Sequence, residues 1–158
     1  MKVVINNCFG GFGLSPLGIQ EWAKRKGKEC YFFLQEYERD ERGRLGESRM
    51  TPCTLEDATG RVMWFAYTVP NPEDYKLNER GADGTFKEAN ERSREISLYS
   101  RSVARDDADL IAVVEQLGEK ASGSCASLKV VEIPGGINWE IEEYDGNEWV
   151  AEAHARWS

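Results

Sequence analysis

The chain has 158 residues, 41 % of them apolar and 30 % charged, with a formal net charge of −8 at pH 7. This length suits one ordinary domain with its own core, and the composition is typical of soluble globular proteins. No apolar run approaches the roughly 20 residues that span a bilayer, and MKVVINN at the start lacks the apolar core of a secretory signal. We therefore expect a cytoplasmic domain over residues 1–158 that does not enter a membrane. The acidic balance also disfavours binding to a nucleic-acid backbone, which needs concentrated Lys and Arg.

The four cysteines, Cys8, Cys30, Cys53 and Cys125, are widely spaced, and His154 is the only histidine. Zinc sites need closely spaced pairs of such ligands, so we expect no metal. In a reducing cytoplasm the cysteines are most simply free thiols. Nothing in the sequence calls for a cofactor.

The first 37 residues predict a strand, a helix and a second strand. KVVI at 2–5 is a short apolar run, and Ser15 and Pro16 are typical of an N-cap and a first helical position. The helix is expected over about residues 16–26, where Gly27 ends it. ECYFFLQEY at 29–37 reads as a buried strand, parallel to the first through a strand–helix–strand crossover.

The middle of the chain is less apolar. The charged segment 38–50 has loop composition, and VMWFAYTV at 62–69 predicts a third strand. Residues 70–96 contain too few apolar side chains for a core layer, so we expect a polar excursion there, either a mobile segment or a lid.

The last third predicts one helix and two or three strands. DDADLIAVVEQLG has the acids, the apolar stripe and the final glycine of a helix, while 128–133 and 137–144 read as strands. EWVAEAHARW fits either a strand or a helix. The expected fold class is α/β (α+β), one compact domain with a mixed sheet of five or six strands and two main helices.

The segment NNCFGGFGLSP at 6–16 is the first candidate site. A strand that runs into glycines and then into a capped helix can present free backbone N–H groups and the positive helix end to an anion. Gly10, Gly11 and Gly13 match neither the dinucleotide nor the triphosphate-binding motif. An equally weighted alternative is that these glycines only permit a turn while Phe9 and Phe12 pack on the core.

Polar and aromatic neighbours favour a nucleotide ligand. The Asn6 and Asn7 amides can read a base or ribose, Phe9 and Phe12 can stack on a ring, and Arg101 and Arg105 before the second helix can clamp a phosphate if they face the glycine segment. A solvated pair of arginines among aspartates is the simpler alternative for Arg101 and Arg105. The predicted ligand-binding residues are Asn6, Asn7, Cys8, Phe9, Gly10, Gly11, Phe12, Gly13, Ser15, Arg101 and Arg105.

Catalysis is the second hypothesis for the function of this protein. Cys8 lies at a strand end near a helix start, where a thiol can be activated, but no motif joins it to His154. His154 is more simply a surface or packing residue. We assign no catalytic residue.

Three segments carry a resemblance: INNCFGGFGLS at 5–15, DLIAVVEQLGEKASG at 109–123, and 128–157. They resemble a family of short proteins encoded by tailed bacteriophages and prophages, and residues 38–96 lie outside the resemblance. It implies a dispensable phage gene product in an infected bacterial cytoplasm, where such proteins often counter host defence. The expected function is sequestration of a small phosphate-bearing nucleotide, such as a host immune signal.

Two alternatives stay open. An enzyme that degrades such a nucleotide would need Cys8 or His154, whereas an inhibitor that binds a host defence protein would use residues 38–96 or the tryptophans Trp139, Trp149 and Trp157. Exposed aromatic surface there would favour the inhibitor. The sequence leaves a homo-oligomer open.

Overall fold

The computed structural model describes residues 1–39, 41–43, 45–61, 63–98 and 103–153. Its contacts group the chain into two compact units, Met1–Lys26 with Ser100–Ser158, and Gly27–Tyr99. The expectation of one domain stays a prediction. Within the described ranges, no helix is long and apolar enough to cross a membrane.

The described residues form both helices and strands, and the expected α+β class is confirmed. In chain order they are β1 (Lys2–Asn6), α1 (Pro16–Arg25), β2 (Tyr31–Arg39), β3 (Leu45–Cys53), α2 (Leu55–Ala58), β4 (Phe65–Tyr67), α3 (Lys87–Ile96), α4 (Ala108–Leu117), β5 (Leu128–Glu132), β6 (Trp139–Tyr144) and β7 (Asn147–Glu152). Short 3₁₀ helices lie at Pro72–Tyr75 and Gly118–Ala121.

The first unit is built on β1, which pairs antiparallel with β5 so that Val4 lies opposite Val130. Helices α1 and α4 add Ile19, Leu110 and Val113 to its core, all essentially inaccessible to solvent. The predicted start of α1 is confirmed, because the Ser15 hydroxyl accepts a hydrogen bond of 3.0 Å from the Gly18 N–H.

The predicted parallel crossover from β1 to β2 is absent from the described residues, so that prediction is wrong. The described strands form three antiparallel sheets in the orders β1–β5, β3–β2–β4 and β6–β7, rather than one mixed sheet. β1 pairs with β5, a strand that begins 122 residues after β1 ends, so the partner of β1 could not be predicted from closeness in sequence.

Strands β6 and β7 form a hairpin that closes through Asp145 and Gly146, both with positive φ (50° and 83°). This is the two-residue turn that Asp-Gly favours. The segment that the sequence left between strand and helix is therefore a strand up to Glu152. Residues 154–158, with His154 and Trp157, lie outside the described residues.

The second unit packs the sheet β3–β2–β4 around Phe33, Tyr67 and Ile96. The rings of Phe33 and Tyr67 meet edge to face with centroids 5.6 Å apart. The prediction of a loop at 38–50 is wrong, because β2 and β3 form a hairpin over this segment. In that hairpin Glu36 lies opposite Arg49. Opposite charges across a hairpin are favourable, so a charged segment can be a strand.

The polar excursion at 70–96 is also more structured than expected. It contains a 3₁₀ helix and α3, and the buried side chains Ala89 and Ile96 lie seven residues apart on one face of α3. The Arg92 guanidinium donates to the carbonyls of Tyr75 and Lys76, at 2.8 and 3.1 Å. Few apolar residues suffice here because their spacing places them on the same side. The predicted strand 62–69 is reduced to Phe65–Tyr67.

Candidate functional site

The glycine segment that follows β1 is packed against two other backbone segments of the first unit. A Cβ on Gly10 would overlap the carbonyl oxygen of Cys125. A Cβ on Gly146, in the β6–β7 turn, would lie 2.6 Å from the nitrogen of Gly11 and 2.8 Å from that of Gly10. These glycines therefore permit close contact between main chains, which supports the packing alternative for at least Gly10.

Asn6, at the end of β1, is completely buried and holds this packing together. Its side-chain amide donates to the carbonyls of Cys8 (2.9 Å) and Gly146 (2.6 Å), and its side-chain oxygen accepts from the Ser127 N–H at 2.8 Å. The amide thus connects β1, the glycine segment, the segment before β5 and the hairpin turn. Both the nitrogen and the oxygen of this side-chain amide are therefore occupied by hydrogen bonds within the protein.

Arg105 lies directly over the ring of Phe12, with its guanidinium carbon 3.4 Å from the ring centroid. Both terminal nitrogens of Arg105 donate to the Glu148 carboxylate at 2.8 Å. The same carboxylate accepts the backbone N–H of Asn6 at 2.8 Å. Side-chain exposure is only 19 % for Arg105 and 8 % for Glu148, so this ion pair is largely shielded from water.

A cleft of about 470 Å³ opens beside this ion pair. It brings together part of the glycine segment, Arg105 and the hairpin turn. Its lining residues are Gly10, Gly11, Phe12, Arg105, Glu143, Asp145, Gly146 and Glu148. The condition set by the sequence, that an arginine before the second helix faces the glycine segment, is met by Arg105.

The cleft wall offers both hydrogen-bond donors and acceptors. Among the described residues, no hydrogen bond uses the backbone N–H of Gly10, Gly11 or Phe12. The carboxylates of Glu143 and Asp145 lie on the same wall. Three carboxylates against one guanidinium give this lining a formal charge of −2, which disfavours a highly charged anion.

The start of α1 does not add to this wall. The Ser15 hydroxyl both caps the helix and donates to the Lys120 carbonyl at 2.6 Å. A Cβ on Gly18 would lie 2.9 Å from the carbonyl oxygen of Ala121. The positive end of α1 is therefore packed against the 3₁₀ helix that follows α4.

The other predicted ligand contacts lie outside the lining. The ring of Phe9 is 70 % exposed, and Asn7 is exposed while its backbone N–H donates to the Ser127 carbonyl. The Cys8 thiol donates to the Asn6 side-chain oxygen at 3.4 Å and to the Cys125 carbonyl at 3.6 Å. A Cβ added to Gly13 would meet no other atom within 4 Å. Arg101 falls outside the described residues.

The sequence interpretation missed the hairpin side of the cleft, which consists of Glu143, Asp145, Gly146 and Glu148. One signal was present. Glu148 and Val150 are two residues apart in β7, so the acidic side chain lies on the same face of the strand as an apolar one. An inward carboxylate requires a buried partner, and Arg105 is that partner.

No group of three metal-ligating side chains occurs in the described ranges, and all four cysteines there are free thiols. Comparison of the chain with protein-family models, with curated proteins and with solved structures gave no match.

Proposed function

We propose that the protein binds a small nucleotide in the cleft between the glycine segment and the β6–β7 turn, and holds it without turnover. The observation that carries this proposal is the convergence of Gly10–Phe12 and Arg105, two segments more than 90 residues apart in sequence, on one cleft. In the phage context that the sequence resemblance implies, such a protein would remove an immune signal of the host.

The lining supports a particular class of nucleotide. The unused N–H groups of the glycine segment and the remaining donors of Arg105 suit one phosphate, while the carboxylates of Glu143 and Asp145 suit ribose hydroxyls. Because the lining carries a net negative charge, a nucleoside triphosphate is disfavoured. We therefore expect cyclic nucleotides and monophosphates to bind more tightly than triphosphates.

Sequestration is favoured over degradation by the contacts of the candidate nucleophile. The Cys8 thiol is directed to Asn6 and to the Cys125 carbonyl rather than into the cleft lining. Nucleophilic catalysis needs a base within hydrogen-bond reach of the thiol, and no such side chain is among its described partners.

The test is thermal unfolding of the purified protein with cyclic nucleotides, nucleoside mono- and triphosphates and ADP-ribose. A ligand at about 100 times its dissociation constant adds about 2.7 kcal/mol to stability. Any stabilising compound is recovered and identified by mass. Intact ligand supports sequestration, altered ligand overturns it in favour of an enzyme, and no shift across the panel overturns nucleotide binding.

Two neighbouring glutamates provide a matched pair of variants. Glu143 lines the cleft, whereas Glu142 lies on the opposite face of β6. Glu143→Ala removes an acceptor for a ligand hydroxyl and should weaken binding about tenfold. Glu142→Ala makes the same change of charge and should leave the affinity within about twofold.

A further inference from the structure

The face of the β6–β7 hairpin that points away from the ion pair carries two exposed aromatic rings. Tyr144 is 72 % exposed and Trp149 is 43 % exposed. They share this face with Glu142, while Glu148 occupies the opposite face and contacts Arg105. We call this surface the outer hairpin face; its members are Glu140, Glu142, Tyr144, Asn147, Trp149 and Ala151.

The indole of Trp149 is held in place although it is exposed. Its Nε1–H donates to the Glu142 carboxylate at 2.9 Å, directly across the hairpin. This bond places a carboxylate at the edge of an aromatic ring. An oriented ring next to an acid is the combination that binds a cationic side chain, because the ring face attracts the cation and the carboxylate accepts its N–H groups.

The charge of the hairpin is uniform. Residues 139–153 contain six acidic side chains and no Lys, Arg or His. Glu148 is compensated by its ion pair with Arg105. The hairpin therefore carries most of the net charge of −8 on a short segment. Such a concentration of one sign steers a partner of the opposite sign to the surface.

We propose that the outer hairpin face docks an Arg- or Lys-rich segment of a partner protein. Cationic side chains of that segment lie over the rings of Trp149 and Tyr144 and donate to Glu142. This surface and the cleft lie on opposite faces of the hairpin, so docking is independent of nucleotide binding. Anionic macromolecules are disfavoured as partners by the six carboxylates.

The test titrates the ¹⁵N-labelled full chain with a synthetic nona-arginine peptide and follows the backbone amide signals. The expected result is saturable shifts concentrated within residues 139–153. Trp149→Ala should weaken this binding about tenfold, and Trp149→Phe should restore most of it, because a cation also binds over a benzene ring. Tyr144→Ala is a second variant that removes a more exposed ring.

Two further variants each remove one carboxylate from β6. Glu142→Ala removes it from the outer hairpin face, and Glu143→Ala, the matched control, removes it from the opposite face. If Glu142→Ala and Glu143→Ala weaken peptide binding equally while Trp149→Ala keeps it, the peptide is attracted by net charge alone. That result would overturn the docking site. Shifts outside the hairpin, or a stable dimer of this chain that Trp149→Ala dissociates, would also overturn it. All variants are checked for unchanged thermal unfolding.

Discussion

Arg105 and Glu148 are joined by two hydrogen bonds of 2.8 Å, although 43 residues separate them in sequence. The pair connects the segment before α4 to β7. It also lies between the ring of Phe12 and the backbone N–H of Asn6, so the glycine segment and the end of β1 contact the same two side chains. This ion pair is thus the structural base of the candidate cleft.

We expect Glu148→Ala to lower the free energy of unfolding by about 3 kcal/mol, because it leaves the shielded guanidinium of Arg105 without a partner. Urea denaturation measures this as a lower midpoint. Glu152→Ala is the control, since Glu152 lies on the same face of β7 but is exposed. Its effect should stay within about 0.5 kcal/mol. Equal effects of the two variants would contradict a stabilising role of the ion pair.

The glycine segment gives a second prediction. Gly10→Ala should destabilise the protein by about 2 to 3 kcal/mol, because the new methyl group would overlap the Cys125 carbonyl. Gly13→Ala should be neutral or slightly stabilising, since Gly13 has open space at this position and no positive φ. Thermal unfolding of both variants is the measurement. A stable Gly10→Ala protein would mean that this packing is absent.

The comparison of these glycines shows what could be read from the sequence. The strand, the glycine turn and the capped helix were predictable because each has a local signal in residue order. The close contact of Gly10 with Cys125 and of Gly11 with Gly146 was not, because it joins segments more than 100 residues apart. The same holds for β1, whose antiparallel partner β5 follows only after α1 to α4 and the sheet β3–β2–β4.

Only part of the candidate site could be predicted from the sequence, because the rest depends on contacts between segments that are distant in sequence. Gly10, Gly11, Phe12 and Arg105 were proposed from local composition and lie together in the cleft. Asn6 has the polar side chain expected of a ligand contact, yet burial and four internal hydrogen bonds of its side-chain amide give it a structural role. Whether a polar side chain faces a ligand or a backbone depends on the tertiary fold.

The cysteines should differ widely in their rate of alkylation. Burial raises the pKa of the Cys30 thiol to about 12, and burial together with the nearby Asp57 carboxylate raises that of Cys53. Cys125 is exposed. Because the thiolate is the reactive form, iodoacetamide at pH 8 should modify Cys125 first and Cys30 at least about a hundredfold more slowly. Peptide mass mapping over time measures this.

Unfolding the protein in urea before alkylation is the control, and it should make all four cysteines react at similar rates. Equal rates for Cys125 and Cys30 in the folded protein would contradict the burial of Cys30.

Asp107 should make the first unit sensitive to acid. Its carboxylate caps α4 by accepting the N–H groups of Asp109 and Leu110, and it also accepts from Trp22 and Lys26 of the α1 region. Burial alone would raise the pKa of this carboxyl. The hydrogen bonds from Lys26, Leu110 and Trp22 outweigh burial and lower the pKa below its ordinary value.

A carboxyl whose pKa is lowered by folding stabilises the protein above its unfolded pKa of about 3.9 and loses this contribution as the pH falls through the folded value. We expect Asp107→Ala to cost about 1 to 2 kcal/mol at pH 7, as for other N-caps, and Asp106→Ala, at an exposed neighbouring position, to cost less than about 0.5 kcal/mol. Urea denaturation between pH 7 and pH 2 should show the difference between wild type and Asp107→Ala shrinking below about pH 4. A difference that stays constant over this range would show that the charge of Asp107 does not stabilise the start of α4.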